Sequence, residues 1–256
     1  MGELFTDINE IRLLGERMIS ILGLFTSPVG VRLIKSGNDY PEEAKRLYKH
    51  RYCQALMKAR HGEEVILDGE GISCPAAASA FGFRPLTPAL RSGKGLVGFG
   101  IVSDEEVGRR MFARMPSFKP GEIKFLHLYP LVKARYIPDI VVVEDEVERL
   151  MWIILSYLHA TGGERVPSHT AVLQAACVDS TIIPYLEGRL NFSYGCYGCR
   201  DATDIGGNET VLGFPASVLP SIVSHLEFLG KKAIPTSRSK KAWADLKKEE
   251  VFNENS

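Results

Sequence analysis

Pro138-Asp139-Ile140-Val141-Val142-Val143 runs into a segment from Glu146 to Ala160 that stops at Gly162-Gly163. Four consecutive β-branched residues opened by a proline read as a buried strand, because a strand covered on both faces has no reason to alternate apolar with polar. Residues 146–160 carry apolar positions at helical spacing and end on a glycine pair, so they read as a helix. Strand followed by helix, met repeatedly along the chain, makes this an α/β (α+β) protein with mixed sheets.

Upstream, Asp7 and Glu10 form a capping-box pattern before an amphipathic helix over 7–22. Val29 to Ile34 follows Pro28 as a strand, Ser36 to Asp39 turns, and a helix is predicted from Pro41 to about Arg60. Val65 to Leu67 reads as a short strand leading to Cys74-Pro75, where proline opens an Ala-rich helix over 76–80. Gly95 to Val102 is expected as a strand, with Ser103-Asp104-Glu105-Glu106 capping the helix after it. Downstream, the pattern gives an extended piece at Arg165-Val166, a helix over Ala171 to Ile183, a strand over Leu190 to Tyr194 and a packed helix over Pro215 to Leu229. From Lys231 the chain is polar; Trp243 and Leu246 indicate a loosely docked helix, and the last residues are expected to be disordered.

The order of elements repeats at an offset near one hundred residues. Arg46-Leu47 answers Arg149-Leu150, His61-Gly62-Glu63-Glu64-Val65 answers Gly162-Gly163-Glu164-Arg165-Val166, and Cys74 falls about where Cys177 falls. We read an internal duplication into two similar halves, roughly 25–118 and 135–230, packed about a pseudo-twofold axis. The organisation is then an N-terminal helix (1–24), a first half (25–134), a second half (135–230) and a C-terminal tail (231–256).

The chain has 256 residues, 45% of them apolar, enough for a sizeable core. Lys+Arg and Asp+Glu are both 31, so no overall field draws it to nucleic acid. The longest apolar stretch, Leu150 to Leu158, is far below the ~20 residues that span a bilayer. Glu3 and Asp7 stand where a secretory signal would be basic. A cytoplasmic protein is the expectation, with no membrane and no nucleic-acid partner.

Five cysteines, odd in number and unevenly spaced, do not form a secreted disulfide framework. In Asn191-Phe192-Ser193-Tyr194-Gly195-Cys196-Tyr197-Gly198-Cys199-Arg200 a strand delivers the first thiol, and flanking glycines let both sulfurs face one point. That spacing suits ligation of one metal or cluster, and equally a dithiol that closes to a disulfide. A metal needs further ligands, and Cys74 and Cys177 are the natural ones. The expected set is Cys74, Cys177, Cys196 and Cys199, holding an iron–sulfur cluster or zinc. The alternatives are a thiol–disulfide redox enzyme using Cys196 and Cys199, or a protein that binds a small molecule or partner without metal. Cys53 is assigned to core packing inside the helix over 41–60.

The histidines share no metal-ligand spacing; His169 is the one accessory candidate. Around Gly93-Lys94-Gly95 and Gly98-Phe99-Gly100 there is no phosphate-loop or dinucleotide fingerprint. Close backbone packing is the ordinary cause of such glycines, and Lys94 near the following helix N-terminus is the candidate for holding an anionic cofactor. Asp201, Asp204 and Glu209 crowd the Cys loop, with solvated surface as their default role. No nucleophile-elbow or Ser-His-Asp order supports a hydrolase.

Tyr52-Cys53-Gln54-Ala55, Ile72-Ser73-Cys74-Pro75-Ala76-Ala77, Ile137-Pro138-Asp139-Ile140-Val141, Phe192 to Arg200 and Gly213-Phe214-Pro215 resemble, in order and spacing from about Leu22 to Leu229, domain-of-unknown-function family 169 of archaea and bacteria. The resemblance implies little mechanism and transfers no catalytic residue.

Overall fold

A computed structural model describes residues 7–254, with side-chain surroundings given for 7–248. Seven strands, β1 (Val29–Ile34), β2 (Lys45–Arg46), β3 (Val65–Asp68), β4 (Phe125–Pro130), β5 (Ile140–Glu146), β6 (Asn191–Ser193) and β7 (Glu209–Pro215), form one mixed sheet in the order β2-β3-β4-β1-β5-β7-β6. Only β2 and β3 run parallel; every other neighbouring pair is antiparallel. The expected mixed sheets are thus a single one.

The helices are α1 (Ile8–Leu22), α2 (Tyr52–Arg60), α3 (Pro75–Ala80), α4 (Pro88–Arg91), α5 (Lys94–Gly98), α6 (Glu105–Ala113), α7 (Val147–Ala160), α8 (Ile183–Glu187), α9 (Tyr197–Ala202), α10 (Leu219–Gly230), α11 (Ala233–Arg238) and α12 (Lys241–Glu254). A π-helix, Ala175–Ile182, runs directly into α8.

Both faces of the sheet are covered, which is why β5 reads as an unbroken apolar run. Ile140 and Val142 enter the core beneath α2, α3, the π-helix and α9, while Val141 and Val143 enter the core beneath α1, α7 and α10. A small third cluster joins Leu90, Leu96 and Phe112 of α4 to α6 to Ala76 of α3.

Several boundaries differ from expectation, each for a local reason. The predicted helix over 41–60 begins only at Tyr52; Lys45 and Arg46 instead pair with Val65 and Ile66 in the sheet. Gly95 to Val102 begins as helix α5, because Gly93 packs against α6 and leaves no free edge for a strand to join. Strands β4 and β7 had no prior reading, and residues 175–182 are wound as a π-helix. Asp7, Asp104 and Pro75 do open their helices as expected. The expected disorder at the end falls partly on residues 255–256, outside the described ones.

The two halves share the sheet, joined where β1 pairs antiparallel with β5. The strand order β3-β4-β1 on one side of this seam is answered by β6-β7-β5 on the other. A duplication is nevertheless not shown. Arg46 lies on a strand while Arg149 lies on helix α7, and α2 and α7 cover opposite faces. In this topology the counterpart of Cys74, capping α3 after β3, is Cys196, capping α9 after β6, and not Cys177.

Candidate functional site: a group of five thiols

All five cysteines are free and belong to, or pack against, one apolar cluster on one face of the sheet. Strand β6 ends at Ser193, and Gly195 at φ +86° turns the chain so that Cys196 becomes the N-cap of α9. The loop is tied down from inside and outside. Arg200 donates to the carbonyls of Tyr194 (2.6 Å), Gly206 (2.8 Å) and Glu209 (3.0 Å). From α2, Arg51 donates to the Gly198 carbonyl (3.0 Å) and pairs with Asp201 (3.2 Å), while Gln54 donates to the Ala202 carbonyl (3.2 Å).

Within the loop, the Cys196 and Cys199 sulfurs stand 3.1 Å apart, and the Cys199 N–H donates to Cys196 Sγ at 3.3 Å. The Ala175 N–H at the start of the π-helix reaches the same sulfur. The contact with Cys199, then burial, pushes the Cys196 thiol far up. Cys199 is held down by the Cys196 thiol but pushed up by the neighbouring Cys53 thiol and by burial, to about 12 overall. Both thiols are therefore protonated at neutral pH.

Cys53 is thus part of the group. Because α2 begins at Tyr52, Cys53 occupies its first turn, facing Cys199, and not the middle of a longer helix. The sequence signal available for this was Gln54, which at the third helical position accepts from the Arg51 N–H (2.9 Å) and so marks Arg51 as the N-cap.

Cys177 sits in the π-helix, entered through Val172 and Gln174 at φ +50° and +57°. Non-glycine residues in that region cost about 1–2 kcal/mol each, strain that clusters at functional sites, as π-turns do. Burial raises the Cys177 thiol most, and Cys74, Cys196, Cys199 and Asp179 each add to it. Cys177, Cys196 and Cys199 lie in one core cluster, and Cys74 packs against it. Among the described residues, however, no three His, Cys, Asp or Glu side chains are disposed to hold a metal ion.

The π-helix is pinned on two sides. Tyr52 donates to the Thr181 hydroxyl (2.8 Å), which donates to the Ala176 carbonyl (2.8 Å). Asp179 accepts from Ser193 (2.8 Å) and Thr170 (3.1 Å), and burial raises its carboxyl to about 6 against those bonds.

On β5, on the thiol side of the sheet, lies Glu144. Both its oxygens are buried without a hydrogen-bond partner, and the Arg60 Nε stands 3.3 Å away. Burial raises Glu144 to about 7; Arg60 opposes this, while Asp204 and Glu209 add to it. Arg60 also pairs with Asp204, which accepts from His61 at the surface (2.6 Å). Nothing in the sequence pattern singled out Glu144, since the acidic run Glu144-Asp145-Glu146 after four apolar residues reads as the strand's exit to solvent.

The remaining candidates lie apart from the thiols. His169 is exposed and engaged with Glu187 (3.3 Å) and Arg189 (3.2 Å). Lys94 is exposed on α5, and the N-terminus of α6 is taken by the Asp104 side chain, with Glu105 and Glu106 behind it. Asp201 and Asp204 pair with Arg51 and Arg60, and Glu209 accepts from the Gly206 N–H.

The profile of the uncharacterised ArCR family, domain of unknown function 169, matches residues 17–225. The chain belongs to this family. An uncharacterised protein of Methanocaldococcus jannaschii is 29% identical over 224 residues, covering 86% of this chain and 95% of that protein. No solved structure matches. The family match spans all five thiols and Glu144. Among the described residues no helix is long and apolar enough to cross a membrane.

Proposed function

We propose that this family member is a thiol–disulfide redox protein whose working pair is Cys196 and Cys199. The observation that carries the reading is the 3.1 Å approach of the two sulfurs on the first turn of a helix. Closure into a disulfide removes two protons and two electrons and needs only a small approach of the sulfurs. The environment also sets the direction of electron flow. A thiolate that is poorly stabilised does not hold the pair reduced, so the dithiol is a donor of electrons to a disulfide-bearing partner.

The second reading, an iron–sulfur cluster or zinc held by Cys74, Cys177, Cys196 and Cys199, is supported by the place of Cys177, Cys196 and Cys199 in one core cluster with Cys74 packed against it. A bound metal would deprotonate these thiols outright and offset the burial that now keeps them neutral. The absence of a ready ligand arrangement among the described residues weighs against it.

Anaerobic purification followed by metal analysis and thiol counting separates the two. The redox reading expects metal-free protein that loses two thiols reversibly to a small disulfide, and expects Cys196→Ser or Cys199→Ser to abolish this while Cys74→Ser does not. Stoichiometric iron or zinc, lost in all four single serine replacements, would establish the second reading instead.

A further inference from the structure

We infer that the cleft between the last turn of α7 and the outer face of α10 is a binding site for a flat, uncharged nitrogen heterocycle of the purine or pteridine class, held by stacking on protein rings. The two helices cover the face of the sheet opposite the thiols, so the inference stands apart from either reading of Cys196 and Cys199.

His159 lies in the last turn of α7 and His225 in the middle of α10. Their rings are stacked with centroids 3.7 Å apart and planes 5° from parallel. Phe228, one turn further along α10, continues the stack at 5.5 Å and 19°. A column of three π faces thus bridges two helices at the surface, and Phe228 ends it with 67% of its area exposed. Ser221 and Ser224 come forward beside these rings, because positions three and four apart on a helix are neighbours, and both are exposed. Together with Pro220 these residues line a concavity of about 730 Å³, within the range of roughly 300–1,000 Å³ that small-molecule sites occupy.

The lining selects the ligand. No Lys, Arg, Asp or Glu borders the cleft, so a phosphate or carboxylate would find no cation there and an ammonium no anion. Burial, then His159, lowers the pKa of His225, whose ring is therefore neutral at pH 7. A neutral imidazole offers one N–H donor and one lone-pair nitrogen at its edge, and each serine hydroxyl both donates and accepts. Flat rings lie best on parallel flat rings, and an electron-poor heterocycle does so on neutral imidazole and phenyl faces. Its ring nitrogens and exocyclic amino or carbonyl groups then meet the imidazole edges and the hydroxyls, whereas a saturated ring of the same size gains neither contact. The parallel setting also argues against a chelated metal, which needs two in-plane lone pairs to converge on one point.

The test uses the full chain with 2-aminopurine riboside, whose fluorescence is quenched on stacking, and the pteridine lumazine as competitor. The wild type should quench the riboside saturably, lumazine should displace it, and cyclohexylurea should not. Phe228→Ala removes an exposed side chain without touching the core and should weaken binding about tenfold or more, the loss expected for one stacking partner. His225→Leu should act comparably, and Ser221→Ala combined with Ser224→Ala should weaken binding less. Absence of saturable quenching up to millimolar protein overturns the proposal, as does equal affinity in the wild type and a folded Phe228→Ala protein. Sedimentation showing a wild-type dimer that Phe228→Ala dissociates overturns it as well, because the rings would then be packing on a second copy of the chain.

Discussion

Gly213 of β7 lies directly beneath the Ser180 carbonyl of the π-helix: a Cβ placed there would meet that oxygen at 1.8 Å. The sheet and the π-helix are therefore in backbone contact at the point that sets the height of Cys177 above β7. Gly213→Ala cannot be absorbed by a rotamer change, because the obstacle is backbone. The cost should reach the upper end of overpacking, about 3 kcal/mol, lowering the melting temperature by roughly 6–12 °C. An unchanged melting temperature would mean that the π-helix is not seated as described.

The outer tie of the Cys loop is Arg51, which bridges the Gly198 carbonyl and Asp201. Arg51 is itself partly exposed, so Arg51→Ala should cost no more than about 1 kcal/mol of stability. Its effect should appear in access: iodoacetamide should modify Cys196 and Cys199 several-fold faster, with Cys177 unaffected. Peptide mapping of alkylated protein measures this, and equal acceleration at all five cysteines would show general loosening instead.

Much of this arrangement was legible in the sequence. The apolar run at 140–143, the caps at Asp7 and Asp104, the proline at Pro75 and the Cys196–Cys199 loop all carry their structure locally, because each depends on neighbours a few residues away. The rest depends on distant partners. Phe125–Pro130 is a central strand only because β1 and β3 flank it, and Tyr40 to His50 forgoes a helix because β3 offers Lys45 and Arg46 an edge. The π-helix follows from two left-handed residues and the close approach of Gly213, neither visible as periodicity. Cys177, Cys196 and Cys199 do share one core cluster with Cys74 packed against it, but Cys53 was hidden by the misplaced start of its helix, and Glu144 by the acidic run it opens.

On the opposite side of the sheet, His127 of β4 is fully buried, with Nε2 2.8 Å from Glu64 and Nδ1 3.5 Å from Arg32. Burial, then Arg32, lowers its pKa from 6.5 to about 3, so the contact with Glu64 is a neutral N–H donor to a carboxylate and not an ion pair. The unfolded chain takes up this proton near pH 6.5 and the folded one only near 3. The unfolded state therefore binds more protons between those values, and this group's contribution to stability falls as pH drops through that window. Urea midpoints at pH 7 and pH 4.5 should show the wild type losing more stability than His127→Gln on acidification. An equal loss in both would contradict a buried neutral imidazole.

The thiol pair should also respond to Cys53, which neighbours Cys199 in the same core cluster and raises its thiol. Removing that contact with Cys53→Ala takes away one of the influences raising Cys199. The pH dependence of alkylation at Cys199 should accordingly move to lower pH, with a small stability cost of about 1 kcal/mol for the lost packing. No movement would place Cys53 outside the functional group.

The central claim is that Cys196 and Cys199 form a reversible disulfide, and the most direct measurement is equilibration of the protein in dithiothreitol redox buffers, acid quench, alkylation and peptide mapping. The account predicts a single two-electron transition in which these two cysteines alone change state, while Cys53, Cys74 and Cys177 remain thiols throughout. A protein whose five cysteines stay reduced across the whole range, or whose Cys196 and Cys199 are held by a bound metal, would contradict it.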